Sequence, residues 1–350
     1  MSKIIVGLSG GVDSAVAAYL LKKQGYDVVG ITLRTWDTNS RCCDIDSARE
    51  AAGILGIEYH TVYCAPDFKS KVENPFINSY LCGTTPNPCV ICNREIKWEW
   101  MLYAAGVYNA DYIATGHYVR LVKKENGRYT VQCAKDQNKD QTYMLYRLTQ
   151  EQLSKTIFPL GELTKSEVRQ IAREIGLSSA DKEDSQEICF VSDNNYADFI
   201  LRNSPDKIPE SGNFVDINGN VLGKHEGIIH YTVGQRKGLG LSMGYPVFVK
   251  EICAETNEVV VAKEKDIYKT KIQCSSTNFL SISGINENQA IRANVKIRYH
   301  HNGAKALIKS LGDDTLLIEF DEPVRAPAPG QSAVFYDEAQ CVIGGGIITN

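Results

Sequence analysis

Lys3 is followed by Ile-Ile-Val-Gly-Leu (4–8), an unbroken apolar run of strand length. Such a run suits a strand covered on both faces, as in a parallel sheet. Residues 12–23 then place their apolar positions at helical spacing, and Gly25 closes that helix. The spacing predicts a second strand over 26–35, a second helix over 44–56 and a third strand over 57–63. A helix-rich stretch follows through Trp100, and "DYIATGHY" (111–118) reads as another strand. Strand and helix alternating at this interval predict an α/β domain with a doubly wound, mostly parallel sheet. Thr164-Lys-Ser-Glu167 is a capping box opening a helix over 165–176, and helical character persists to about residue 202.

The texture changes after the Pro/Gly/Ser-rich stretch 203–212. Residues 213–223 and 254–263 read as hairpins, the first turning at Asn218-Gly219. From about 268 onward short alternating runs dominate, which suits a small β-barrel or sandwich. The expected division is an α/β domain over 1–202, a small middle domain over 203–267 and an all-β C-terminal domain, a β-barrel, over 268–350.

Totals narrow the class. With 350 residues, 43% of them hydrophobic, the chain can bury more than one core. No run reaches the apolar length of a membrane helix, and the N-terminus lacks the apolar region and cleavage site of a signal peptide. Eleven cysteines form no regular framework, so the expectation is a cytoplasmic protein whose special cysteines are chemical. A net charge of −4 gives no overall attraction for polyanions, so a nucleic-acid partner needs a local basic surface.

The first chemical motif is "GLSGGVDSA" (7–15), which joins the first strand to the first helix. Ser9, Gly10 and Gly11 let backbone N–H groups crowd at a helix N-terminus, where the dipole favours phosphate. Asp13 and Ser14 offer side chains to a phosphate-bound Mg2+ or to the phosphates themselves. The Lys-Ser/Thr pair of a Walker A loop is missing, and the glycine spacing is wrong for a dinucleotide fingerprint. The segment 9–14, Ser-Gly-Gly-Val-Asp-Ser, resembles the PP-loop of ATP pyrophosphatases, which adenylate a substrate oxygen and release pyrophosphate. "TPNPCVICNREIKW", "DYIATGHYVR", "NKDQTYMLYRL", "KEDSQEICFV", "HYTVGQRKGLGL", "KIRYH" and "PGQSAVFYDEAQCVIGGGII" follow in that order. Together they resemble the bacterial and mitochondrial tRNA-specific 2-thiouridylases, from residue 3 to about 348.

The resemblance implies replacement of O2 of a wobble uridine by sulfur. That oxygen is a poor leaving group, so ATP adenylates it; a cysteine persulfide then delivers sulfur, and a second cysteine releases the carrier as a disulfide. Cys92 matches the family's nucleophilic cysteine and Cys189 its persulfide carrier. Cys92 follows Pro88 where a helix begins, so the dipole is expected to favour its thiolate. Asp181, Glu183, Asp184 and Glu187 flank Cys189 and act in the opposite sense if they are close in space. Cys42, Cys64 and Cys253 read as small buried hydrophobes. Cys89 departs from the family pattern, in which many members carry Asp as an acid/base or orienting group. An alternative makes Cys89, Cys92 and Cys189 a three-thiolate set for an iron–sulfur cluster, as related PP-loop tRNA thiolases use.

By the same resemblance, Gly7, Leu8, Ser9, Gly10, Gly11, Val12, Asp13 and Ser14 cradle ATP. Leu33 lies against its adenine or ribose and Gly116 closes the site. Asn87, Pro88 and Cys89 meet the target base; His117, Lys139, Asp140, Gln141, Arg298, Tyr299 and Gln331 contact tRNA. The implied cofactors are ATP and Mg2+, with a cluster in the alternative. The implied partners are the tRNA anticodon loop and a sulfur donor such as a cysteine desulfurase or sulfur-relay protein. Two rivals stand: a PP-loop amide-forming ligase, disfavoured by the lack of a glutaminase-like segment and by the presence of Cys92 and Cys189, and a non-catalytic iron–sulfur or tRNA-binding module.

Overall fold

The computed structural model describes residues 1–36, 44–182, 188–191, 195–207, 210–287 and 289–350. The apolar run at the N-terminus is β1 (Lys3–Gly7), in which Ile4, Ile5 and Val6 are wholly buried. It is the middle strand of a five-stranded sheet with β2 (Asp27–Arg34), β3 (Glu58–Tyr63), β4 (Tyr112–Ala114) and β7 (Thr156–Ile157), in the order β3-β2-β1-β4-β7. All its pairings are parallel, with Lys3 opposite Asp27 on one side and Ile4 opposite Tyr112 on the other. The chain leaves β1 toward β2 and returns to pair β4 on the far side. The strand order therefore switches at β1/β4, and a crevice opens beyond their C-terminal ends.

Two expectations shift. The strand predicted over 111–118 ends at Ala114, because Gly116 turns the chain against the loop after β1. The helical stretch runs past Trp100: helices Pro88–Cys92 and Glu99–Val107 are joined by the π-helical turn Asn93–Trp98. Such wide turns recur at functional sites.

A hairpin of β5 (Val119–Lys123) and β6 (Tyr129–Cys133) leaves the main sheet and bolts the α/β domain to the C-terminal one. Arg128 donates to the carbonyls of Leu280 and Phe279, both at 2.8 Å, and Asn278 Nδ2 donates to Tyr146 O at 2.7 Å. The middle region pairs β8 (Gly212–Val215), β9 (Val221–His225), β10 (Phe248–Cys253) and β11 (Glu258–Ala262) in the order β10-β11-β8-β9. Its first hairpin turns where Asp216 Oδ1 accepts from Asn218 N and Asn220 N.

The last region is β12 (Tyr268–Phe279), β13 (Ala290–Lys296), β14 (Ala304–Gly312), β15 (Thr315–Arg325), β16 (Ser332–Tyr336) and β17 (Val342–Ile348), closed in the order β12-β15-β14-β13-β16-β17. Of barrel and sandwich, it is the barrel, whose closure leaves no unpaired edge. The triple glycine in β17 has a packing cause: a Cβ on Gly345 would lie 2.7 Å from the ring of Tyr146.

Candidate active site

The loop after β1 lies at the crevice. Gly10 holds φ +80°, and a Cβ there would meet Asp44 O at 2.5 Å. Ser14 Oγ accepts from Ser9 N at 3.2 Å and donates to Gly11 O at 3.0 Å, so the loop folds over its own hydroxyl. The helix Val12–Lys23 begins at Gly11 without a side-chain cap, which leaves its first N–H groups to an anion. Gly116 closes the other wall: a Cβ there would sit 2.7 Å from Asp13 C and Ser14 N. Asp13 accepts from Tyr118 Oη at 2.7 Å and from Lys165 Nζ at 2.7 and 2.8 Å. Asp44 sits behind the loop, where Lys182 and Ser47 hold its carboxyl down at about 2. Leu33 is buried at the C-terminal end of β2 within the core on the sheet's other side. Uncapped N–H groups, a close-packed glycine wall and a carboxylate beside a hydroxyl fit a nucleotide triphosphate with its magnesium ion.

The cysteines occupy a different neighbourhood. Asn87 caps the helix Pro88–Cys92 by accepting from Cys89 N at 3.2 Å. Pro88 takes the first helical position, so Cys92 stands a full turn inside and is buried. The first turn, where the helix dipole acts most strongly, holds Cys89, and Cys92 is the fifth residue of the helix. Cys189 is half-buried and packs against the hydrophobic cluster that contains Cys92. Its neighbour Phe190 anchors it there, with ring centroids 5.1 Å from Phe76, 5.2 Å from Phe199 and 6.1 Å from Trp36. Asp181 is drawn to Arg173 at 2.7 Å, while Glu183, Asp184 and Glu187 lie outside the described residues. Cys64 is buried and Cys253 half-buried; Cys42 lies outside the described residues.

Cys89, Cys92 and Cys189 do not form a metal-holding group. Among the described residues no three His, Cys, Asp or Glu side chains come together as one.

Several residues expected to meet tRNA hold one another. Tyr299 Oη donates to Asp140 O at 3.0 Å, and burial, then Asp140 and Cys89, raise the Tyr299 phenol above its usual range. So 139–141, 298–299 and Cys89 converge. Asp140 faces inward, 7% exposed, accepting from Ala134 N at 3.1 Å and Thr142 Oγ1 at 2.6 Å. Gln141 Oε1 accepts from Tyr118 N at 2.9 Å, which ties this strip to the phosphate loop. Lys139 and Arg298 are half-buried, and Arg298 donates to Arg325 O at 3.2 Å. Gln331 Nε2 donates to Thr85 O at 3.0 Å, and Thr85 N donates to Pro329 O at 2.8 Å. The barrel thereby fixes the loop that leads to Asn87. A cavity of about 410 Å3 lies at this seam, lined by Phe76, Asn87, Pro88, Ile91, Arg147 and Gly330. His117 Nδ1 lies 2.8 Å from Thr115 Oγ1; burial and then Lys97 push its imidazole down to about 3, so it is neutral near pH 7.

Sequence reasoning missed Lys165, Tyr118 and Asn93. Asn93, 2% exposed, donates to Met144 O at 3.0 Å and so holds the helix of Cys92 against the turn Thr142–Leu145. A polar residue next to a candidate nucleophile was the available signal for Asn93. Lys165 had none.

Comparison with known proteins covers the chain end to end. The family model described as tRNA methyl transferase HUP domain matches residues 2–193, that of the tRNA methyl transferase PRC-barrel domain 197–263, and that of the aminomethyltransferase beta-barrel domain 269–348. The chain is 50% identical over 359 aligned residues to the tRNA-specific 2-thiouridylase MnmA of Lachnoclostridium phytofermentans, covering 99% of each. It is 49% identical to MnmA 1 of Caldanaerobacter subterraneus, over 99% of this chain and 98% of the other. The solved U34-tRNA thiolase NcsA from Methanococcus maripaludis aligns at 23% identity over 59% of this chain and 67% of its own, with a TM-score of only 0.37. Identity of about half the residues along essentially the whole length of both chains places this protein in the tRNA-specific 2-thiouridylase family.

Proposed function

We propose that the protein replaces O2 of a tRNA wobble uridine by sulfur at the expense of ATP. The full-length match to relatives named tRNA-specific 2-thiouridylase carries this reading. Gly7 to Ser14 and Gly116 bind the nucleotide, with Leu33 toward its adenine or ribose, and Asp13 and Ser14 supply oxygens for its magnesium ion. The uracil O2 attacks the α-phosphorus, the α–β bridging P–O bond breaks, and pyrophosphate leaves with the electron pair. The outer sulfur of a Cys189 persulfide then attacks C2 and AMP departs. The Cys92 thiolate attacks the inner sulfur of Cys189; a disulfide forms, and the S–S electrons stay with the sulfur on C2. A dithiol reductant resets the pair, and a sulfur donor such as a desulfurase or relay protein reloads Cys189.

Asn87, Pro88 and Cys89 receive the target base, with Lys139, Arg298 and Tyr299 along the RNA path. Single-stranded loops make extrusion of the wobble base inexpensive. Cys89 at the helix N-terminus orients the base by hydrogen bonding where many relatives place a carboxylate. The test is direct. Protein, ATP, Mg2+, a persulfide donor and unmodified tRNA are incubated, and the digested nucleosides are weighed. The wobble nucleoside is expected to gain the mass of one oxygen-to-sulfur exchange; an unchanged mass with a competent donor rejects the reading. Iron and sulfide analysis of anaerobically purified protein excludes the cluster route if the iron-free protein is fully active.

A further inference from the structure

The proposed cycle ends with Cys92 and Cys189 joined as a disulfide, and the fold gives a soluble reductant a poor route to it. Cys92 is 6% exposed and lies in the hydrophobic cluster with Phe76, Ile96 and Phe190. Cys189, half-buried, packs against that same cluster. Thiol–disulfide exchange requires a thiolate to reach one of the two sulfurs, so a bond enclosed there is slow to reduce from outside.

Cys89 is a thiol already at hand. It stands three residues before Cys92 in the helix Pro88–Cys92, and side chains at that spacing share one face with Cβ atoms about 5–6 Å apart. The residues between them turn away, since Val90 and Ile91 line the cavity behind the helix. Cys89 is half-buried where Cys92 is buried, and it lies within electrostatic reach of Tyr299, on the side proposed for the RNA path. A disulfide needs Cβ atoms about 3.5–4.5 Å apart, so closing the pair takes a shift of roughly 1–2 Å. The helix can supply it. Its start rests on the bond from Cys89 N to Asn87 Oδ1 at 3.2 Å, and after five residues the backbone widens into the π-helical turn.

We propose that Cys89 is the resolving thiol of the reaction, attacking Cys92 in the spent disulfide, freeing Cys189 for reloading and keeping the oxidised state as a Cys89–Cys92 bridge open to a soluble dithiol. The inference rests on the persulfide reading above. The Cys89 thiolate, its proton given up to water, attacks Cys92 Sγ. The Cys92–Cys189 bond breaks, and its electron pair goes to Cys189 Sγ, which takes a proton from water. The exchange consumes no electrons. A dithiol reductant then supplies two electrons and two protons to the Cys89–Cys92 bridge and is itself oxidised to a disulfide. An attacking thiol held in the same helix outcompetes a soluble one, because its approach needs no bimolecular encounter. Cys89 turns to Cys92 once the thiolated base has left.

The experiment uses the full chain, loaded from a small persulfide donor that is then removed, with ATP, Mg2+ and unmodified tRNA but no reductant. After one turnover the reaction is quenched in acid, free thiols are capped with a maleimide, and the digest is mapped by mass. Wild type is expected to carry the Cys89–Cys92 bridge and a capped Cys189, whereas C89S is expected to stop with Cys92 bonded to Cys189. With a dithiol at micromolar concentration, the ratio of steady-state to first-turnover rate is expected to fall at least about tenfold in C89S. The ratio separates resetting from any effect of the variant on seating the base. A wild-type map with Cys92 bonded to Cys189 and Cys89 capped overturns the proposal; so does a folded C89S with an unchanged ratio. If C89S does not fold, the wild-type map decides alone. Failure of the persulfide reading looks different, because wild type then thiolates tRNA without forming any disulfide, or does not thiolate it at all.

Discussion

The phosphate loop and the cysteine region are built by opposite strategies. The loop is local: Ser9, Gly11 and Ser14 bond to one another within a few residues, and one helix start supplies the N–H groups. The cysteine region is assembled over long separations. Thr85 is held by Pro329 and Gln331, Tyr299 by Asp140, and Cys92 lies in the hydrophobic cluster against which Cys189 packs. A short loop can prepay the geometry of phosphate binding, because its parts cannot drift apart. The cysteine region draws its walls from several parts of the chain and takes its register from the barrel.

That contrast can be broken first at the sulfurs. Cys92→Ser and Cys189→Ser are each expected to abolish thiolation, by more than about 10³-fold, with tRNA affinity within about twofold. Nucleoside mass analysis and filter binding decide it, and a thiolating Cys189→Ser would break the assignment.

Next comes the loop's immovable wall. Gly116→Ala forces a Cβ to within 2.7 Å of backbone atoms of Asp13 and Ser14. The expected cost is about 1–3 kcal/mol of stability and at least about tenfold in ATP affinity, with tRNA binding unaffected. Thermal shift with and without ATP measures both.

His117 tests burial. Its imidazole is held from the usual 6.5 down to about 3, chiefly by burial. A base with a depressed pKa contributes stability that is full above pH 6.5 and declines as pH falls toward 3. His117→Gln is expected to reduce the loss between pH 6.5 and 4 by roughly 1–3 kcal/mol, read by denaturant melts at each pH.

The smallest effect is at the seam. Gln331→Ala removes the bond to Thr85 O and should cost about 1 kcal/mol, slowing thiolation a few-fold while leaving ATP affinity unchanged. An equal loss in ATP affinity would erase the distinction between the two regions.

Much of this was legible in the chain. The parallel sheet followed from the apolar run at 4–8 and the strand–helix spacing, and the barrel from alternation after 268. The capping box at Thr164 and the turn at 216–220 formed as read, because both are settled by contacts within a few residues. The strand over 111–118 was overread because its period says nothing of Gly116 being pressed against another loop. The helix start at Pro88 formed as read, because a proline and the Asn87 cap settle it locally.

Sequence by itself determined what short-range chemistry decides: the glycine-rich loop after β1, the helix that follows it and the family that the motifs indicate. Tertiary structure alone decided that Lys165, 152 residues away, pairs with Asp13, that Asp140 faces the core, and that Gln331 holds the backbone of Thr85. Charges and hydrogen-bonding groups act over a few ångströms, and only the fold sets which residues stand that close.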